Sequence, residues 1–207
     1  MVLKPQELYF KLSQRFPYEP TSLQDETLRL LAEFILDRKD SIFLLKGFAG
    51  TGKTTIISSL VKTLPFAFKE SVLLAPTGRA AKVITNYSGK EAFTIHKKIY
   101  YPKKGKGGGV SFTLQKNKHS NTIFIVDEAS MIPDEMTESK LWENGSLLDD
   151  LMTFIDGGKQ CKLVLIGDTA QLPPVHIEQS PALSADLLNS KFNKQIYETE
   201  LTEVTRQ

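Results

Sequence analysis

Gly47-Phe-Ala-Gly-Thr-Gly-Lys-Thr54 is a complete Walker A loop, GxxxxGK followed by a hydroxyl residue. It follows an apolar run at 42–45 and precedes a helix-like stretch at 53–64. That context decides the reading. A strand delivers the loop, and the following helix opens with its free N–H groups facing it, an anion site suited to a β-phosphate. Gly47, Gly50 and Gly52 permit the tight turn and close phosphate approach. Lys53 is placed to reach the β- and γ-phosphates, and the Thr54 hydroxyl to ligate Mg²⁺. The expected cofactors are ATP and Mg²⁺. The plain alternative, a glycine-rich turn with a surface lysine, does not account for a strand before and a helix after.

Working outward, short apolar runs alternate with helix-like ones. Strands are expected at 42–45, 72–75, 123–126, 163–166 and 196–201, and helices at 53–64, 78–87 and 147–155. Such alternation indicates an α/β fold, a parallel sheet with helices on both faces. Ligands in such sheets sit at the C-terminal strand ends, where the functional motifs begin. Upstream, Leu8, Leu12 and Phe16 have helical spacing. Pro17 and Pro20 break the chain, and Thr21 or Ser22 caps a second helix with Leu28, Leu31, Ala32 and Ile35 on one face. Residues 99–121 depart from the pattern. Tyr100 and Tyr101 precede a lysine- and glycine-rich stretch and Val110, Phe112 and Leu114 alternate after it, so an inserted β-hairpin with a mobile tip at 103–109 is expected.

Residues 123–130, Ile-Phe-Ile-Val-Asp-Glu-Ala-Ser, form an apolar strand ending in two acids, a Walker B pattern. Asp127 would hold Mg²⁺ through its water shell and Glu128 would polarise the attacking water. Phosphoryl transfer needs positioning and charge neutralisation more than covalent help. Two capping acids after a strand are the alternative. Residues 165–175, Leu-Ile-Gly-Asp-Thr-Ala-Gln-Leu-Pro-Pro-Val, give another strand and a polar turn. Gln171 is uncharged and able to contact both a γ-phosphate and a nearby chain, as a sensor of nucleotide state would; Pro173 and Pro174 rule out helix there.

Bulk properties agree. The 207 residues suffice for one domain with a sizeable core, or one plus a small insertion. A hydrophobic content of 41% and a charged content of 24% are ordinary for a globular chain. The single cysteine, Cys161, excludes an internal disulfide framework and a Cys-based zinc site, and reads as a packed thiol. No signal-peptide core or membrane-length apolar run is visible, so the cytoplasm is expected and a membrane partner is not. The net charge of +2 hides an asymmetry. Residues 92–126 hold seven lysines and no carboxylate, leaving 19 basic against 24 acidic residues elsewhere. A basic block on an acidic body suggests a polyanion partner.

Together with Leu74-Ala-Pro-Thr-Gly-Arg-Ala-Ala-Lys82, Thr94-Ile-His96 and Gly167-Asp-Thr-Ala-Gln-Leu-Pro-Pro174, these motifs resemble superfamily 1 DNA helicases, most nearly the RecD/Dda-like 5′→3′ branch (exonuclease V alpha-subunit-like). The resemblance runs from about Thr21 to the end. It implies a RecA-like P-loop NTPase at 21–98 and 122–207, an N-terminal extension at 1–20, and a pin-like hairpin at 99–121. It implies that Gln24 contacts adenine and that Gly47, Phe48, Ala49, Gly50, Thr51, Gly52, Lys53, Thr54 and Thr55 hold the nucleotide, with Thr54 and Asp127 on the metal. Lys53, Glu128, Gln171 and Arg206 form the catalytic set, Arg206 contacting the γ-phosphate from the far side of the cleft. Pro76, Thr77, Arg79, Lys82, Thr94 and His96 lie along single-stranded DNA, holding phosphates without reading bases. Arg79 and Lys82 as a solvated helix face, with His96 structural, is the alternative. The hairpin is rich in lysine and glycine, without an aromatic at its tip.

Motion along DNA in this family needs two motor domains. The second is expected to be absent, making this the first motor domain of a longer helicase, with a partner chain or dimer as another source of the missing half. Repair or recombination subunits are candidate partners. Two other classes stay open: a small-molecule kinase, for which no acceptor site or lid is visible, and a non-hydrolysing regulatory module, against which Lys53, Thr54, Asp127 and Glu128 argue.

Overall fold

The computed structural model describes residues 3–104, 110–134, 146–170 and 180–204. Helix α1 (Pro5–Arg15) opens with a proline at its first turn and buries Leu8 and Leu12. Helix α2 (Ser22–Leu36) is capped reciprocally: the Thr21 hydroxyl accepts from the Gln24 N–H, and the Gln24 side chain accepts from the Thr21 N–H at 3.0 Å. Strand β1 (Ser41–Gly47) then leads through the Walker A loop into α3 (Lys53–Thr63). The chain continues through β2 (Glu70–Ala75), α4 (Gly78–Ser88), β3 (Ala92–Thr94), α5 (Ile95–Ile99) and the strands β4 (Tyr100–Lys104) and β5 (Val110–Leu114). It closes with β6 (Thr122–Val126), α6 (Leu147–Asp156), β7 (Lys162–Gly167), α7 (Ala185–Phe192) and β8 (Gln195–Leu201).

Six strands form one sheet in the order β3-β2-β6-β7-β1-β8, every pairing parallel. Alternation along each strand feeds two cores. Phe43, Leu45, Ile123, Ile125, Val164 and Ile166 pack with α1, α2, α3 and α4. Ile42, Leu44, Phe124, Val126, Leu163 and Leu165 pack with α5, α6 and α7 on the other face. This is the RecA-like P-loop α/β fold expected, and the strands at 42–45, 72–75, 123–126, 163–166 and 196–201 all lie within strands of the sheet.

Strand β3 and helices α5 and α7 were not anticipated. A three-residue strand and a five-residue helix are too short to show periodicity, and Leu188 is the buried residue of α7. The hairpin is present: β4 and β5 pair antiparallel from Tyr100↔Leu114 to Lys104↔Val110. Lys103 and Lys104 therefore belong to its arm rather than its tip, and residues 105–109 of the expected tip lie outside the described residues. Cys161 is partly buried, its Sγ 3.6 Å from the His119 carbonyl oxygen. Phe124 is fully buried, with edge-on contacts to His119 and Phe154. Phe124→Ala is expected to destabilise the fold by about 3–5 kcal/mol, measured by urea unfolding; a loss under about 1 kcal/mol would contradict the packing described.

Candidate nucleotide site

Sheet topology gathers the ionisable motifs at one end. The Walker A loop leaves the C-terminal end of β1, Asp127 and Glu128 leave β6, and Asp168 leaves β7, which lies between them. Gly52 is the N-cap of α3 at φ +91°, a left-handed conformation that disfavours any side chain. A Cβ there would also collide with the Gln24 amide nitrogen. Gly52 offers no side-chain acceptor to the first turn of α3, so that end is left to an anion.

Gln24, only 3% exposed, lies against the loop. Its Nε2 donates to the Thr51 carbonyl at 2.9 Å while its Oε1 holds the cap of α2. It thus ties α2 to the P-loop. Thr51 is buried and its hydroxyl donates to the Phe48 carbonyl at 2.8 Å. Phe48, Ala49 and Gly50 are exposed at the mouth of the loop, Thr54 is exposed at the start of α3, and Thr55 is half-buried. The Lys53 ammonium donates to the Gly47 and Phe48 carbonyls at 2.7 and 2.8 Å. Burial lowers its pKa, opposed by the charges of Asp168, Asp127 and Glu128.

The Walker B acids are held from two sides. Asp127 Oδ2 accepts from the Tyr87 hydroxyl at 2.8 Å, and Oδ1 accepts from the Glu128 N–H at 2.9 Å. Burial raises the Asp127 pKa, while these two bonds and Lys53 favour its charged form. Burial likewise pushes the Tyr87 hydroxyl far above its ordinary range, so it remains a donor. Glu128 has φ +55°, uncommon for a residue with a side chain. Asp168 is 9% exposed and accepts from the Ala170 N–H at 2.8 Å. Among the described residues no three His, Cys, Asp or Glu side chains come together as a metal cage. The Thr54 hydroxyl and the Asp127 carboxylate are hard oxygen donors, the donor type that Mg²⁺ takes alongside phosphates and water.

Helix α4 runs from this site to a second surface. The Thr77 hydroxyl caps it, accepting from the Ala80 N–H at 3.2 Å; Pro76 precedes the cap, and Arg79 and Lys82 are exposed. A cleft of about 290 Å³ between α4 and the Walker B turn is lined by Thr77, Arg79, Val83, Asp127, Glu128 and Met131. A groove of about 490 Å³ beyond it is lined by Lys82, Thr85, Asn86, Phe93, Thr94 and Lys97. Thr94 caps α5, accepting from the Lys97 N–H at 3.2 Å, and Lys97 and Lys98 both stand over the Phe93 ring. His96 is half-buried beside Tyr100, and burial lowers its pKa, favouring the neutral ring.

The structure thus brings together Gln24, the loop, Lys53, Asp127 and Glu128, and places Arg79 in the cleft beside the Walker B acids and Lys82 and Thr94 in the groove beyond it. Gln171 and Arg206 lie outside the described residues. Sequence reasoning missed Tyr87 and gave Asp168 no role of its own, although Asp168 directly follows an apolar strand, within the motif at 167–174. No helix among the described residues is long and apolar enough to cross a membrane.

A family model described as an AAA domain matches residues 24–207. The chain is 29% identical over 189 residues to the ATP-dependent DNA helicase dda of Enterobacteria phage T4, an alignment covering 90% of this chain and 39% of that protein. It is 31% identical over 134 residues to the ATP-dependent RecD2 DNA helicase of Deinococcus radiodurans, covering 65% of this chain and 16% of that one. The crystal structure of a Pif1 helicase from Bacteroides, in complex with ADP-AlF3 and ssDNA, superposes with a TM-score of 0.51 at 22% identity, over 90% of this chain and 43% of that one. The chain therefore spans well under half the length of these relatives. Family match, sheet order and Walker geometry converge: the chain belongs to the AAA domain family, with a RecA-like P-loop α/β fold.

Proposed function

We propose that this chain is the first motor domain of an ATP-dependent DNA helicase, binding and hydrolysing ATP and holding single-stranded DNA. The observation that carries this reading is the continuity of α4, which borders the Walker B acids along one cleft and, along another, a groove that carries Lys82, Lys97 and Glu91. In this reading Lys53 turns from its loop carbonyls to the phosphates, Thr54 and Asp127 hold Mg²⁺, and Glu128 orients the attacking water. Bound Mg²⁺ supplies neutralisation of phosphate charge. Gln24 braces the loop through the Thr51 carbonyl and is assigned the adenine contact. Gln171 and Arg206 are assigned the γ-phosphate.

Pro76, Thr77, Arg79, Lys82, Thr94 and His96 face the DNA, with Lys97 added by the groove geometry. Residues 21–98 and 122–207 form the ATPase body, 1–20 an extension that buries Leu8 and Leu12 in the same core, and 99–121 the hairpin. Movement in the 5′→3′ direction and unwinding require a second RecA-like domain, and repair or recombination subunits are further candidate partners.

Fluorescence anisotropy with labelled oligo-dT tests the DNA assignment. Binding is expected to weaken steeply with salt. Lys82→Ala combined with Lys97→Ala is expected to lower affinity and flatten the salt dependence, by about 0.7 in log–log slope for each phosphate left without its lysine. Salt-insensitive binding, or wild-type affinity in the double variant, would contradict it.

A further inference from the structure

We propose that Tyr87 is a positioning residue for the Walker B carboxylate, fixing Asp127 in the orientation that receives Mg²⁺ with the nucleotide. The inference rests on the ATPase reading above. Tyr87 lies on α4, forty residues before Asp127, yet its hydroxyl donates to Asp127 Oδ2 at 2.8 Å. Oδ1 is held by the Glu128 N–H at 2.9 Å. With one donor on each oxygen, rotation about Cβ–Cγ is blocked, and the remaining lone pairs keep a fixed direction. The Glu128 bond alone is a contact between neighbours in sequence and leaves the carboxylate free to swing about it.

The support behind Tyr87 is itself rigid. Its ring packs on the core shared by α1 to α4. Ala81 and Ile84 are buried on the same helix. The Thr85 hydroxyl donates to the Ala81 carbonyl at 2.9 Å and accepts from the Ala92 N–H at 3.0 Å, pinning α4 to β3. Tyr87 therefore transmits the placement of α4, the helix that carries Arg79 and Lys82, to the nucleotide site. Partners that orient a metal ligand from behind commonly carry about tenfold or more in metal affinity.

The experiment is the Mg²⁺ dependence of fluorescent ATP-analogue binding, compared between the wild-type chain and Tyr87→Phe, with affinity in EDTA and the melting midpoint without Mg²⁺ as controls. The expected result is a half-saturating Mg²⁺ concentration raised about tenfold in Tyr87→Phe, with EDTA affinity near wild type. Superimposable Mg²⁺ curves would overturn the proposal while leaving the ATPase reading intact. No Mg²⁺-dependent binding by the wild-type chain would overturn the ATPase reading, and this inference with it. Should Tyr87→Phe fail to fold, 3-fluorotyrosine at position 87 keeps ring and hydroxyl. Its ¹⁹F resonance is expected to move with Mg²⁺-nucleotide but not with nucleotide in EDTA, and an unmoved resonance overturns the proposal.

Discussion

Lys53→Ala is expected to weaken Mg²⁺-ATP binding about a hundredfold. In the structure the ammonium is a double donor, to the Gly47 and Phe48 carbonyls, so the loop is already shaped around a cation. In the proposed function, phosphate oxygens replace those carbonyls when nucleotide enters. Hydrogen bonds to charged groups contribute about 1.5–3 kcal/mol each. Removing one such bond near the stronger end, about 2.7 kcal/mol, corresponds to about a hundredfold in affinity. Lys53 also stands among Asp168, Asp127 and Glu128, whose charges raise its pKa against burial. Without it, Asp168, Asp127 and Glu128 face an incoming polyphosphate with the Lys53 charge removed. The fold is expected to survive, because the bond to the Phe48 carbonyl is exposed and that to the Gly47 carbonyl only partly buried, so water can replace the ammonium. Isothermal titration of Mg²⁺-ATP reads the effect, and an affinity within twofold of wild type would contradict the phosphate role.

Glu128→Gln is expected to lower ATP hydrolysis by about 10²- to 10⁴-fold, the range carried by a positioned general base, while nucleotide binding persists. Glu128 follows the buried strand β6 and is fixed in the left-handed region, its N–H tied to Asp127. Glutamine has the same length and adopts the same backbone, so the change removes charge and basicity with little else. The carboxylate lines the cleft against α4, within the reach of a water delivered there. Single-turnover hydrolysis with oligo-dT present separates this step from binding and release. A rate within tenfold of wild type would move the base elsewhere, and Asp168, on the neighbouring strand end, would be the next residue to replace.

Legibility in the sequence followed length and spacing. Strands β1, β2, β6 and β7 are continuous apolar runs because both faces are covered, and each ends in a motif whose residue types are dictated by phosphate or metal chemistry. Lys53, Asp127 and Glu128, which the fold gathers at neighbouring strand ends, were therefore readable without coordinates. Thr21 as a helix cap was readable too, from a hydroxyl before an apolar periodic stretch. The bracing of Thr51 by Gln24 was not, since it spans 27 positions and depends on how α2 packs beside the loop. Tyr87 was invisible for the same reason: in sequence it is a half-apolar residue near a helix end, and only the tertiary fold sets its hydroxyl on Asp127. Strand β3 and helix α5 together span eight residues, below the length at which periodicity shows. Their formation depends on pairing with β2 and on the Thr94 cap.

The most direct test of the central claim is titration of Mg²⁺-ATP into the wild-type chain beside Lys53→Ala, each with and without saturating oligo-dT. The expected result is saturable binding by the wild-type chain, its affinity shifted by the DNA because α4 borders both proposed sites, and about a hundredfold weaker binding by the variant. Absence of nucleotide binding by the wild-type chain, or equal binding by both proteins, would contradict it.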